Sequence, residues 1–399
     1  MPLTILCLAS YHKGFEFLRE AKRQGCRVLL VTSASLRDAE WPRDSLDDIY
    51  YIQDDKKRWN LDDLILGASH LARKVIIDRI VPLDDFDLEK ASALREHLRV
   101  PGMGETTMRH FRDKLAMRVK AQDDGLPVPA FVHVLNDQRI SEFCRAVPPP
   151  WLLKPRRQAG AIGISKIHSE QELNEATEAL GDDRSNYLVE EYVAGEVCHV
   201  DSIVYEREVR AAIPSQYGTP PFDVSHSGGV FTTRLMDRQS REAGKLLAFN
   251  ERLLTSLGLV RGVSHSEYIR AHDGRLVFLE TSARVGGAHI ADLVEAATGV
   301  NLWAEWAKVE VAGGKAPYAV PPMRSDYAGL IVSLSRQESP DLSAYTDPEI
   351  VWRLEKPNHA GLIVRSASRE RVDELLARYA ERFQQDFVAT VPAASTPFH

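Results

Sequence analysis

The sequence predicts a mixed α/β protein, with a parallel α/β layer at the N-terminus, antiparallel strands further along and a small C-terminal α/β segment. Three observations carry this. The chain opens as strand, helix, strand. Residues 3–9 are a short apolar run, Phe15, Leu18 and Ala21 recur at helical spacing, Gly25 ends that pattern, and Val28–Val31 form a second apolar run. Two strand-like segments flank Asp273-Gly274, a strong hairpin signal. After Pro321, short strand-like runs (Leu330–Leu334, Val351–Leu354, Leu362–Val364) are followed by one amphipathic helical pattern over 369–384.

Composition bounds the answer. With 399 residues, two or three domains are expected, and 44% hydrophobic residues fill a core and exclude a largely disordered chain. Fifty basic against 57 acidic residues give a net charge of −7 and a pI near 6.0, which argues against a dedicated nucleic-acid binder. Anionic ligands stay admissible, because a local field can oppose the net charge. No apolar run approaches the roughly 18 residues that span a bilayer, so no membrane partner is expected. The apolar start has no basic region ahead of it and reads as a buried strand rather than a signal peptide. Cys7, Cys26, Cys144 and Cys198 lie far apart without a CxxC pair. They read as free thiols in a reducing compartment, and the expected location is cytoplasmic.

The elements follow in order. Leu61–Ala72 reads as a helix and Val75–Val81 as a strand, with Asp84 and Asp85 directly after it. Ligands of open α/β sheets lie outside the carboxyl ends of strands, so Asp85 is either a site residue or a cap for the helix Leu88–Leu98. The first strand is followed by Ala9-Ser10-Tyr11-His12-Lys13-Gly14, without GxGxxG, and the chain has no Walker A, GxSxG or HExxH pattern. Pro148–Pro150 break the chain before strand-like 151–154. A charged helical run, 169–180, separates that segment from strand-like 187–193. Residues 214–229, rich in Gly, Pro and Ser, read as a long loop carrying His226 and Gly228 as substrate-side candidates. Leu246–Leu257 reads as a helix, Val277–Leu279 as a strand, and the last residues, VPAASTPFH, as a disordered tail over 391–399.

Four segments could carry chemistry. In HSEYIRAHDGRLVFLETSARVGG, beginning at His265, antiparallel pairing about Asp273-Gly274 can set Glu267 opposite Glu280. Two facing carboxylates suit a hard cation such as magnesium; the alternative is a solvated pair on an outer sheet face. His265 precedes Glu267 by two and shares its face, as a substrate contact, a base or a hydrogen-bonded structural histidine. Gly287 and His289 follow on the substrate side. In WLLKPRRQAGAIGISKI, Lys154 ends an apolar strand and a basic loop with Gly160 and Gly163 follows, able to bring backbone amides to phosphate oxygens or simply to turn a hairpin. In YLVEEYVAGEVCHVDSIV, an apolar strand ends in Glu190 and Glu191, which can read a purine edge or merely mark an exposed strand end. In FRDKLAMRVKAQDDGLPVPAF, Lys114 opens a short helix as a phosphate contact or a surface lysine.

Taken in order (Lys114, LLKP, the Gly-rich loop, VEEYVAGE, and two glutamates thirteen apart ending in ETSAR), this series resembles the ATP-grasp superfamily. Within it, the match is to the carboxylate–amine ligase branch of the L-amino-acid ligases and D-alanine–D-alanine ligase, with biotin carboxylase a more distant relative. The resemblance implies an α/β fold with an α+β core. Its parts would be an N-terminal parallel α/β domain (1–105), an ATP-grasp core (106–320) with a mobile lid at about 120–190 and a central antiparallel sheet, and a C-terminal α/β subdomain (321–390). It implies ATP and magnesium, which manganese can replace. Lys114 and Lys154 would contact phosphates under the loop of Gly160 and Gly163. Glu190 would lie by the adenine amino group, with Glu191 to Val193 as the adenine-facing strand, and Glu196 would stand in for the ribose-binding acid. Glu267 and Glu280 would be metal ligands, with Ser282 where the family usually places Asn, and Arg284 would hold the acyl phosphate or substrate carboxylate. The implied reaction activates a small-molecule carboxylate as an acyl phosphate and joins it to the amine of an amino acid or peptide, releasing ADP and phosphate. A bicarbonate-activating carboxylase and a non-catalytic ATP-binding module are the alternatives. Homodimers are common in the family; no feature of this sequence specifies one.

Overall fold

The computed structural model describes residues 2–55, 58–222, 224 and 229–389. His226, Gly228 and the tail 391–399 lie outside the described residues. The N-terminal layer is a four-stranded parallel sheet in the order Asp48–Ile52, Arg27–Ser33, Thr4–Ala9, Arg79–Pro82. Thr4–Ala9 is buried at all six positions, as a central parallel strand should be. Helix Phe15–Arg23 covers it with Phe17, Leu18 and Ala21, and Phe17 meets Trp306 edge-on at 5.4 Å, joining this layer to helix Leu302–Ala312. The strand expected at Val75–Val81 starts later, at Arg79. The amide of Val75 bonds back to the Leu71 carbonyl at 3.1 Å, so Val75 closes helix Leu61–Ala72 instead of joining the ladder.

A second sheet is antiparallel, in the order Phe131–His133, Tyr187–Glu191, Trp151–Pro155, Ser165–Ile167. Helices Asp137–Ala146 and Glu170–Leu180, capped by the side chains of Asn136 and Ser169, close over its apolar face. Its core includes Ile140, Phe143, Trp151, Leu153, Leu173 and Val189, separate from the rest of the molecule's interior.

The third sheet has eight antiparallel strands, in the order Leu276–Ser282, Gly262–Ala271, Gly195–Tyr205, Glu208–Tyr217, Val230–Leu235, Tyr327–Leu334, His359–Ser366, Ile350–Arg353. On one face Cys198, Val200, Tyr268 and Phe278 pack with helix Arg241–Leu257. The other face carries Ile203, Ile213, Val263 and Val277 against helices Ile290–Thr298 and Leu302–Ala312. Two sequence expectations change here. Part of the predicted loop 214–229 is strand, since Ser215, Gln216 and Tyr217 pair with Leu235, Arg234 and Thr233. The C-terminal strands extend this sheet through Tyr327–Leu334, and helix Arg369–Asp386 packs Leu375, Tyr379 and Phe383 onto it. All four cysteines are free, with Cys7, Cys26 and Cys198 buried. Among the described residues no helix is long and apolar enough to cross a membrane.

Candidate active site

The turn at Asp273-Gly274 sets the register of its hairpin. Gly274 takes φ 84°, a left-handed conformation that glycine adopts without steric cost, and its amide bonds to the Ala271 carbonyl at 2.8 Å. From the turn, Arg270, Ile269 and Tyr268 pair with Leu276, Val277 and Phe278; a bulge then passes over Leu279, so that Glu267 faces Glu280 and His265 faces Ser282. The two acids the sequence singled out are therefore neighbours on one sheet face.

Lys114 converges on them from another element. It is the first residue of helix Lys114–Asp123, and its Nζ lies 2.9 Å from Glu280 Oε2 and donates to the Gln158 carbonyl at 2.6 Å. Asp113 caps the helix by accepting from the Leu115 amide at 3.0 Å, and the same carboxylate receives Arg156 Nε at 3.0 Å. The Lys114 amide meets the Arg156 carbonyl at 2.9 Å. These bonds fix the helix start against the end of strand Trp151–Pro155, where the glycine-bearing loop begins. In that loop Gly160, Ala161 and Gly163 all have positive φ, and a Cβ on Gly163 would stand 3.3 Å from Pro155 Cγ. Such a turn can direct successive backbone amides at an anion.

The second lysine lies deeper. Lys154 is buried in the middle of the four-stranded sheet and donates to Glu190, which also accepts from Arg118 Nε at 3.0 Å. Burial pushes the Glu190 carboxyl up, but the Arg118 and Lys154 cations outweigh it and hold it below the usual carboxylate range. Burial holds the Lys154 ammonium below its ordinary value against the opposing pull of Glu190. Arg118 Nη1 is buried without a hydrogen-bond partner among the described residues, so this cluster has an unspent donor there.

Behind Glu267 lies a buried network. Asp201 Oδ2 meets His199 Nδ1 at 2.8 Å and its Oδ1 meets His265 Nδ1 at 2.9 Å. His199 Nε2 lies 2.8 Å from Thr233 Oγ1, and Tyr217 donates to Glu267 Oε1 at 2.7 Å. Burial lowers the pKa of the His265 imidazole, yet the Asp201 carboxylate outweighs it and raises the pKa to about 9. At His199, beside the same acid, burial prevails and the imidazole falls below the ordinary histidine value. Burial raises the Glu267 carboxyl, and the His265 and Tyr217 bonds overcome it, keeping Glu267 ionised. Gly286 closes over this network, where a Cβ would stand 3.0 Å from both Asp201 Oδ1 and His265 Nδ1, whereas Gly287 faces open space.

A third group joins the two layers. Asp85, at the end of strand Arg79–Pro82, meets Arg112 Nη1 at 3.1 Å, receives the Ser282 hydroxyl, and lies 3.8 Å from Arg284 Nε. It is Asp84 that caps the following turn, accepting from the Phe86 amide at 2.9 Å, which frees Asp85 for the site.

The structure thus brings together Asp85, Lys114, Lys154, Glu190, His265, Glu267, Glu280, Ser282 and Arg284. Glu196 does not join them. Strand alternation puts it on the face opposite His199 and Asp201, and Arg270 Nε bonds it at 2.8 Å across the strand pair. Glu191 turns its carboxylate to the Ala130 amide at 3.3 Å, and Val193 packs into the main apolar core. His289 bonds Asp292 at 2.9 Å and lies 4.8 Å from the Trp352 ring. The sequence reading passed over His199, Asp201, Tyr217, Arg112 and Arg118. Two of these had a signal: His199 and Asp201 are spaced by two on a strand beside His265, and Arg118 follows Lys114 by one helical turn.

The donor set fits a nucleotide and a hard cation: two lysines and a glycine-bearing loop for phosphates, and two facing carboxylates for a metal that prefers oxygen. Comparison with known proteins agrees. Residues 147–292 match the ATP-grasp domain family. The chain is 24% identical over 233 residues to the L-arginine-specific L-amino acid ligase of Bacillus subtilis, covering 57% of this chain and 56% of that enzyme. It is 26% identical over 235 residues to a D-alanine–D-alanine ligase of Pelotomaculum thermopropionicum, covering 51% and 72%. The chain therefore spans little more than half the length of the first of these relatives. The crystal structure of an L-amino acid ligase from Bacillus licheniformis superimposes with a TM-score of 0.72 at 17% identity, over 97% of this chain and 98% of that one. Residues 147–292 thus match an ATP-grasp domain, and the chain has the ATP-grasp fold.

Proposed function

We propose that this protein is an ATP-dependent ligase that activates a carboxylate as an acyl phosphate and joins it to the amine of an amino acid or peptide, with release of ADP and phosphate. The observation that carries this is the cross-strand pair Glu267 and Glu280, with Lys114 2.9 Å from Glu280 and the Asp85–Arg284 group one strand position further along. Magnesium or manganese bound by Glu267 and Glu280, with Ser282 beside them, would neutralise charge on the triphosphate. Lys114, Lys154 and the amides of the Gly160–Gly163 loop would hold the phosphates, with Glu190 by the adenine amino group. A substrate carboxylate oxygen attacks the γ-phosphorus in line, and the bond from that phosphorus to the β-bridging oxygen breaks. Positioning and electrostatics supply most of the catalysis in such a transfer. The amine nitrogen then attacks the acyl carbon, the bond to phosphate breaks, and the surplus amine proton leaves to solvent. Arg284 would pair with the carboxylate or the developing oxyanion in two-point fashion. The L-amino acid ligase and D-alanine–D-alanine ligase relatives support this reading.

The test is an acid-by-amine panel with ATP and magnesium, read by ADP release and mass spectrometry. ADP formed together with an amide is expected, and Glu280→Gln should lower it by about a hundredfold or more. Bicarbonate-dependent ADP release without an amine, or binding without turnover across the panel, would overturn the assignment. The same assay, run on protein of defined oligomeric state, would show whether a homodimer is needed.

A further inference from the structure

Away from the candidate active site, a cavity of about 400 Å³ opens between the N-terminal layer, the central sheet and helix Leu302–Ala312. That volume falls in the range of small-molecule sites. None of Lys114, Lys154, Glu190, Glu267 and Glu280 lines it. Three arginines do: Arg95, Arg207 and Arg261. Their countercharges are few. Arg95 is buried, and its guanidinium donates only to carbonyls, to Ile80 at 2.9 Å through Nε and to Met103 at 3.1 Å through Nη1. Among the described residues it has no carboxylate within ion-pair distance. Arg261 has Glu206 at 3.7 Å, beyond hydrogen-bond range. The acid lining the cavity, Glu310, is already engaged by Trp306 Nε1 at 3.2 Å and lies 4.0 Å from Arg79. A buried cation satisfied by dipoles alone leaves net positive potential in the cavity. Leu88, Met103, Leu259 and Trp306 supply apolar wall.

The rim is held in an unusual backbone. Strands Gly195–Tyr205 and Glu208–Tyr217 are joined by Glu206 and Arg207, at φ 51° and 67°. Consecutive left-handed residues suit a two-residue hairpin turn, but such turns favour Asn and Gly, because a Cβ is crowded there. Here both positions carry long charged side chains. The Arg207 amide bonds the Val260 carbonyl at 2.8 Å, which holds the turn against the cavity wall. Strain of this kind persists where the surroundings impose it, and it marks positions kept for a task. Arg207 is exposed, and its guanidinium has no partner among the described residues.

We propose that this cavity is a second ligand site, which takes a small organic anion with a carboxylate or phosphate head for Arg207 and Arg261 and an apolar body for the Trp306–Met103 wall. Pro82 of the N-terminal layer and Ala283, between Ser282 and Arg284, both line the cavity, so an occupant would touch both layers.

The experiment is calorimetric titration of the full chain, saturated with ADP and magnesium to fill the nucleotide site. The probes are phenylacetate and phenyl phosphate, with inorganic phosphate and phenylacetamide as controls. Saturable 1:1 binding of at least one phenyl anion is expected, tighter than inorganic phosphate, with none for phenylacetamide; which anion binds identifies the head group. A double variant, Arg207→Gln with Arg261→Gln, should weaken it about tenfold or more, and Arg284→Gln should leave it unchanged. The double variant should keep the wild-type melting temperature and ADP formation, so that lost binding is not lost folding. Absence of saturable phenyl-anion binding, equal binding of the amide, or binding lost in Arg284→Gln but kept in the double variant would overturn the proposal. None of these outcomes bears on the ligase reading, which the ADP assay tests separately.

Discussion

The most exposed commitment at the scale of single residues is the buried group Lys154, Glu190 and Arg118. Three charges with essentially no water contact are tolerable only because one carboxylate serves two cations. Removing the acid leaves both cations without a counterion, so Glu190→Ala should cost about 3–5 kcal/mol, read as a lowered urea midpoint. The pH dependence has a definite sign. Folding holds Glu190 below its ordinary value of 4.5, so the folded state favours the ionised form. That contribution is fully present above the ordinary carboxylate range and is lost as pH falls through the depressed folded value. Wild-type protein should therefore lose stability on acidification below about pH 4.5, and Glu190→Gln should lose less over the same interval. Equal slopes would assign the acid sensitivity to other carboxylates.

At the scale of elements, the candidate site shows what a sequence can and cannot convey. Glu267 and Glu280 could be put on facing strands from sequence because Asp273-Gly274 marks the turn between them, but that turn alone would set Glu267 against Leu279, and it is the bulge beside Tyr268 that brings Glu280 opposite. The partnership of Asp85 with Ser282 spans 197 positions and two sheets, and no local pattern encodes it. Asp201 was overlooked for a related reason. Its role depends on strand Gly195–Tyr205 lying between two others, which its apolar sequence permits but does not dictate. Glu196 lies on the face opposite His199 and Asp201, a face that tertiary packing decides, with Cys198 and Val200 turned toward helix Arg241–Leu257. Two substitutions test the elements. Gly286→Ala would drive a methyl group to 3.0 Å from Asp201 and His265, inside ordinary van der Waals contact. It should cost about 1–3 kcal/mol and slow ADP formation together, since the displaced histidine borders Glu267. Arg207→Gly should act in the opposite direction, raising the urea midpoint by about 1 kcal/mol of stability by relieving a left-handed arginine, at the cost of anion binding in the cavity. An unchanged or lowered midpoint would mean that the turn is not strained.

At the scale of the whole molecule, the antiparallel four-stranded sheet has its own core and meets the rest largely through polar bonds. These include the Lys114 side chain to Gln158, the Lys114 amide to the Arg156 carbonyl, Arg156 to Asp113, Arg157 Nη1 to Glu89 at 3.4 Å and, deeper in, Arg118 to Glu190. A body with a separate core and polar attachments is the part most free to open. The nucleotide would lie between this sheet and the central one, so a bound nucleotide should tie the two together. Trypsin reads that equilibrium, because Arg156, Arg157 and Lys166 lie at or beside the loop and their bonds must open before cleavage. ADP with magnesium at ten times its dissociation constant should slow cleavage between residues 156 and 166 about tenfold, in proportion to the loss of the open, unliganded form. Asp113→Ala removes both the cap of helix Lys114–Asp123 and the partner of Arg156, interactions worth about 1 kcal/mol or more in sum, and should speed cleavage several-fold in the absence of nucleotide. Because the capped helix also aims Lys114, the same variant should raise the KM for ATP more than it lowers kcat. Cleavage indifferent to nucleotide in both proteins would mean that this sheet does not move against the core, and that closure over the phosphates is confined to the loop itself.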